Sequence, residues 1–187
     1  MNKKSVVLLK VIICIITAAA MIFASLSVCR TVFPVKYGAL IRKACTNNNT
    51  DIYLVLALIK AESNFNQNAV SCAGAKGLMQ LTEETFLHCC KKLNSENADI
   101  LSPEDNINAG VWYLSYLLDK YNGSVTNAVA AYNAGSSNVD KWLKDESLSK
   151  DGIEPYIIPF GETKRHVQKT KRYIRIYKLL YPNAAEG

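Results

Sequence analysis

Ile52-Tyr53-Leu54-Val55-Leu56-Ala57-Leu58-Ile59-Lys60-Ala61-Glu62-Ser63 decides how this chain is read. The run from Ile52 to Ile59 has hydrophobic residues all round, so a helix there is buried on every side. Glu62 follows about one turn beyond the densest part. Apolar surroundings and the negative C-terminal end of a helix both disfavour a charged carboxylate. A carboxyl group that keeps its proton near neutral pH is what a general acid needs. Spacing alone fits a solvated glutamate at a helix end equally well.

The residues after Glu62 carry more information. A loop of small and amide residues runs from Asn64 to Ser71 and can fix its own turns by side-chain to backbone hydrogen bonds. Gly74 and Gly77 let the backbone bend or approach a ligand. Gln80 brings a donor and an acceptor suited to a sugar amide or hydroxyl. Met79 has the character of a core residue. Asp51 or Thr50 is placed to cap the helix that leads into Glu62.

Taken as ordered words, Glu62-Ser63-x-Phe65-Asn66, Ala69-Val70-Ser71 and Gly74-Ala75-x-Gly77-Leu78-Met79-Gln80 resemble the lytic transglycosylase domain of the soluble-lytic-transglycosylase type. Three further words follow in the same order: Asn106-Ile107 with Gly110, Ala131-Tyr132-Asn133-Ala134-Gly135, and Glu162-Thr163 with Val167. The resemblance spans roughly residues 34 to 181. It implies an all-α, lysozyme-like fold of the goose-type lysozyme and transglycosylase kind, acting on peptidoglycan. It implies Glu62 as the single catalytic residue. It also implies Ser63, Ser71, Met79, Gln80, Tyr132, Asn133 and Glu162 as substrate-binding residues, with no metal and no cofactor. The last family word usually reads Glu-Thr-x-x-Tyr-Val. Here His166 stands in the place of the tyrosine, and a packing role is expected for it.

The chain has 187 residues, 49% hydrophobic, with a net charge of +6. That length gives one domain plus a short extra segment. The modest positive charge suits an anionic partner. The sequence carries no nucleic-acid-binding signature, so a membrane surface or wall polymer is favoured over nucleic acid. Val11 to Cys29 contains no charged residue. As a helix it would span about 28 Å, close to the thickness of a bilayer core. Lys3, Lys4, Lys10 and the amino terminus place the short side in the cytoplasm. The expectation is one transmembrane anchor in residues 1–30 and an extracytoplasmic, monomeric domain in 31–187. A cleaved signal peptide, releasing a secreted domain, is the rival reading.

The six cysteines, Cys14, Cys29, Cys45, Cys72, Cys89 and Cys90, lack metal-ligand spacing, and a disulfide among the last four stays open. Helices are expected from Pro34, from Thr82, from Ser102-Pro103 with Ile107, Val111, Leu114, Leu118 and Tyr121 inward, and over 127–134. A last, basic helix is expected from Glu162 to Tyr181. Its charged face of Lys164, Arg165, Lys169, Lys171, Arg172, Arg175 and Lys178 is either simply solvated or meets anionic lipid or wall polymer. Tyr156 to Phe160 is the one short candidate for a strand. A hydrolytic muramidase of the same fold and a non-catalytic wall-binding module are the alternatives to the transglycosylase.

Overall fold

The computed structural model describes residues 2–184 and contains eight α-helices and no strand among them, only isolated bridges pairing Val70 with Lys76 and Lys76 with Leu81. Tyr156 to Phe160 is irregular. The chain divides into two compact units, Met1–Pro34 and Val35–Gly187.

The first unit is helix α1, Lys3–Val32. Its stretch Lys10–Val32 is long and apolar enough to cross a membrane, with no part of it buried by the protein. Met1, with its amino terminus, and the side chain of Lys3 lie outside the described residues; both entered the orientation argument.

The second unit is built around α3, Ile52–Glu62. All eight residues from Ile52 to Ile59 are buried. Each large apolar side chain withdrawn from water in this way contributes about 1.5–3 kcal/mol. Asp51 caps the helix, its carboxylate accepting the Tyr53 amide hydrogen at 2.8 Å. Against α3 pack α2, Gly38–Asn47, and the long α8, Gly161–Leu180. The Tyr53 hydroxyl reaches the carbonyls of Tyr181 at 2.9 Å and Pro182 at 2.7 Å, which fastens the end of α8 to the start of α3.

The remaining helices are α4, Glu83–Leu93, α5, Pro103–Lys120, α6, Val125–Ala134, and α7, Ser136–Lys144. Helix α5 packs on α2, α4 and α6, and α6 also packs on α7 and α8. Thr82, Ser102 and Ser124 each cap the helix they precede by accepting an amide hydrogen on a side-chain oxygen. Three expectations shift. Helix α2 begins at Gly38 rather than Pro34, because Tyr37 adopts a left-handed φ of 59° just ahead of it. Helix α6 begins two residues earlier than 127, because Ser124 is the cap. On α5, Leu117 is fully buried while Leu118 is half-buried, so the inward stripe turns by one residue near its end. Cys45, Cys89 and Cys90 are buried, Cys72 is exposed, and all are free thiols.

Candidate active site

Glu62 is the last residue of α3, and Ser63 closes the helix with its amide bonded to the Ile59 carbonyl at 3.0 Å. The chain then reverses through two consecutive residues of positive φ, Asn64 at 53° and Phe65 at 61°. A buried phenylalanine in that region is uncommon and strained. Such strain gathers at functional sites. The Glu62 side chain is 14% exposed, so it is largely withdrawn from water while keeping an opening to it.

Ser63 is buried, and its hydroxyl donates to the Leu78 carbonyl at 2.7 Å. This bond fixes the end of α3 to the Gly77–Gln80 loop. The same loop is held from α5 by Asn106. Its amide nitrogen donates to the carbonyls of Ile100 at 2.8 Å and Lys76 at 3.1 Å, and its oxygen accepts the Met79 amide hydrogen at 2.8 Å. Gly77 has a φ of 77°, and a Cβ there would collide with the Asn106 side chain and lie 2.8 Å from the Ile100 carbonyl. Gly110 is needed for room: its Cβ would sit 2.8 Å from the Cβ of Met79.

Tyr132, on α6, donates to the Met79 carbonyl at 2.8 Å. Burial, and then the charge of Glu62, push its phenol well above the usual tyrosine range. It is therefore a neutral donor that stands within the electrostatic reach of Glu62. Its ring meets Tyr113 at 5.4 Å between centroids, and Tyr113, Tyr116 and Trp112 continue the aromatic contacts along α5. Trp112 and Tyr113 are half-buried.

His166 comes to Glu62 from α8, with Nε2 3.2 Å from Oε1. Nearby on α8, Lys169 donates to the Ala61 carbonyl at 2.8 Å, satisfying one of the orphan carbonyls at the end of α3. Thr163 donates to the Asn133 side-chain oxygen at 2.7 Å, which ties α8 to α6 on the other side.

The structure thus gathers Glu62, Ser63, Met79, Tyr132 and His166 around the end of α3. Met79 is fully buried and presents its backbone groups to Tyr132 and Asn106. Gln80 has a φ of 48° and donates to the carbonyls of Ala69 at 3.0 Å and Gly77 at 2.9 Å, which closes the loop on itself. Ser71 accepts the Ala75 amide hydrogen at 3.1 Å within the preceding loop. Asn133 and Glu162 are exposed on the α6–α8 edge. Two contributors escaped the sequence reading as site residues, Asn106 and His166. A buried asparagine beside Ile107 on a core stripe is a signal for the first. The family word had already singled out the position of the second. No cluster of three or more potential metal ligands occurs among the described residues.

Comparison with known proteins identifies the family and the fold. The sequence model of the family described as "Transglycosylase SLT domain" matches residues 39–153. The chain is 31% identical over 151 residues to the soluble lytic murein transglycosylase of Escherichia coli (strain K12), covering 78% of this chain and 23% of that protein. It is 30% identical over 167 residues to the membrane-bound lytic murein transglycosylase C of Yersinia pestis (strain Pestoides F), covering 76% of this chain and 47% of that one. The structure of an inactive Glu-to-Gln mutant of lytic transglycosylase Slt from Pseudomonas aeruginosa superposes with a TM-score of 0.71 at 32% identity, over 81% of this chain and 25% of that one. The fold is all-α and lysozyme-like, as the sequence words imply. The chain spans only about a quarter of the length of the Escherichia coli and Pseudomonas proteins.

Proposed function

Since the chain belongs to the transglycosylase SLT domain family, we propose that it is a peptidoglycan lytic transglycosylase in which Glu62 acts first as general acid and then as general base. The placement of Glu62 carries this reading: one largely buried carboxyl group at a helix end, beside a neutral phenol and an imidazole. Ordinary glycosidases set a second carboxylate across the scissile bond. The strained turn after Glu62 and the loop fixed by Ser63, Asn106 and Tyr132 belong to a site held rigid for a substrate. The inactivity of the Pseudomonas relative's Glu-to-Gln mutant supports an essential glutamate.

In this reading Glu62 protonates the glycosidic oxygen between N-acetylmuramic acid and N-acetylglucosamine, and the bond breaks with its electron pair on that oxygen. The neighbouring N-acetyl oxygen stabilises the positive charge at the sugar carbon. Glu62, now ionised, takes the proton of the muramic acid 6-hydroxyl, whose oxygen closes on the anomeric carbon. The product is a 1,6-anhydro end, and no water is consumed. Ser63, Ser71, Met79, Gln80, Tyr132, Asn133 and Glu162 line or shape the glycan site. Helix α1 anchors the domain on the extracytoplasmic side, a reading supported by its length and apolarity and by the membrane-bound Yersinia relative. The exposed Lys164, Arg165, Arg172 and Arg175 of α8 face anionic lipid or wall polymer.

Mass spectrometry of digested peptidoglycan tests the proposal. Muropeptides one water lighter than the hydrolysed form are expected from the wild type and none from Glu62→Gln, with thermal stability near wild type. Fully hydrated ends would replace the transglycosylase with a muramidase, and cleavage by Glu62→Gln would remove Glu62 from the mechanism.

A further inference from the structure

His166 occupies the position where this chain departs from the tyrosine of the family word. Its side chain is 8% exposed, and its Nε2 lies 3.2 Å from Oε1 of Glu62. That is hydrogen-bond distance without hydrogen-bond alignment, and the nitrogen has no other protein partner. The Glu62 carboxyl makes no hydrogen bond among the described residues. Two neighbouring groups, one a buried polar atom, therefore each lack what the other supplies. Buried polar atoms left in that state are few in folded proteins, and each calls for a reason.

The imidazole is held in place from both sides. Thr163, three residues before it, is bonded to Asn133 on α6. Lys169, three residues after it, is bonded to the Ala61 carbonyl, next to Glu62 itself. The helix that carries His166 is thus clamped to the helix that carries Glu62 close to their point of contact. Alignment of Nε2 with Oε1 then needs a rotation of one of the two side chains.

We propose that His166 is a positioning residue for Glu62: it holds Oε1 by a hydrogen bond from Nε2, so that Oε2 is the oxygen that exchanges protons with the glycan. This rests on the reading of Glu62 as the catalytic acid and base. The proton that Glu62 gives to the glycan is the one on Oε2, and Nε2 carries the hydrogen that bonds Oε1. When Oε2 gives its proton to the glycosidic oxygen, negative charge develops on the carboxylate. The bond from Nε2 then becomes charge-assisted and strengthens. An interaction stronger in the transition state than in the ground state raises kcat. Oε2 then receives the proton of the 6-hydroxyl, and the imidazole proton stays on Nε2 throughout.

The chemistry asks for a donor at this place and not for a group that titrates. Glutamine carries an amide N–H at about the reach of Nε2; phenylalanine keeps the ring and loses the donor. The test compares wild type, His166→Gln, His166→Phe and Glu62→Gln as full chains in detergent, with kcat and KM measured separately on soluble glycan fragments and thermal unfolding recorded for each. His166→Phe should lose on the order of tenfold or more in kcat with KM within about twofold, and His166→Gln should recover most of that loss. If His166→Phe fails to fold, His166→Leu serves as the donorless variant. Equal kcat in wild type and the donorless variant overturns the proposal. So does an equal loss in the donorless variant and His166→Gln. If wild type releases no product, or Glu62→Gln still cuts, the reading of Glu62 itself falls and this inference with it. When wild type cuts and Glu62→Gln does not, the kcat values of the His166 variants decide the role of the imidazole by themselves.

Discussion

Tyr132 donates its phenolic hydrogen to the backbone carbonyl of Met79 at 2.8 Å, so helix α6 grips the loop that follows α3 in the sequence. Ser63 grips the same loop from the end of α3 through the Leu78 carbonyl, and Asn106 grips it from α5 through the Met79 amide. Consecutive peptide groups are thus fixed by three different helices. Glu62 stands at the end of α3 next to a loop already held by three helices.

Tyr132→Phe removes one of those three bonds and leaves the Met79 carbonyl unpaired, at a cost of about 1–3 kcal/mol. Activity should fall by roughly tenfold if the loop loosens by an equivalent of about 1.4 kcal/mol in the transition state. The pH dependence has a definite sign. Burial and the Glu62 charge raise the phenol above its unfolded value, so its contribution to stability is complete below about pH 10 and is lost as pH rises beyond that. Thermal unfolding followed from pH 8 to 11 should show a shallower alkaline decline in Tyr132→Phe than in wild type. Parallel declines would mean that Tyr132 is not the buried phenol described.

Asn106 and Gly110 support the loop from below, and both can be tested through stability. Asn106→Ala orphans the Met79 amide hydrogen and the Ile100 carbonyl, removes one of two bonds to the Lys76 carbonyl, and should cost about 2–4 kcal/mol. Gly110→Ala pushes a methyl group into Met79 and should cost about 1–3 kcal/mol, as overpacking does. For a domain of this size each kcal/mol lowers Tm by about 2–4 °C. A Gly110→Ala protein that melts with the wild type would show that Met79 has room to move, contrary to its complete burial.

The helices were legible in the sequence because their signals are local. Asp51 is a capping residue one position before an apolar run, Thr82 one placed before two acids that suit the first turn of a helix, and Ser102 is followed directly by proline. The bounds that moved did so for conformational reasons that spacing does not encode, such as the left-handed Tyr37 that delays α2 past Pro34. Glu62 was legible from its position after a wholly apolar run and from the family words around it. The contact between Glu62 and His166 was not, because it joins two helices far apart in sequence and appears only when α8 packs on α3. The role of Asn106 was hidden in the same way: its three bonds run to the backbone of other segments, and nothing in its own helix period requires them.

The thiols give a test of packing that is independent of activity. Burial pushes Cys45 up to about 12, with Asp51 adding to the effect, and burial pushes Cys89 up to about 12, with its neighbour Cys90 adding. At pH 8 only on the order of one such thiol in ten thousand is ionised, and the thiolate is the reactive form. Cys72 is exposed on the loop after the strained turn. Alkylation of the folded chain at pH 8, read by peptide mapping, should therefore modify Cys72 within minutes while sparing Cys45 and Cys89. All of these thiols should react once the chain is unfolded in denaturant. Rapid native labelling of Cys89 would mean that α4 does not seal the cluster of Leu81, Phe86, Ile100 and Ala109 against which Tyr132 rests. The support of the site on that side would then be looser than its hydrogen bonds suggest.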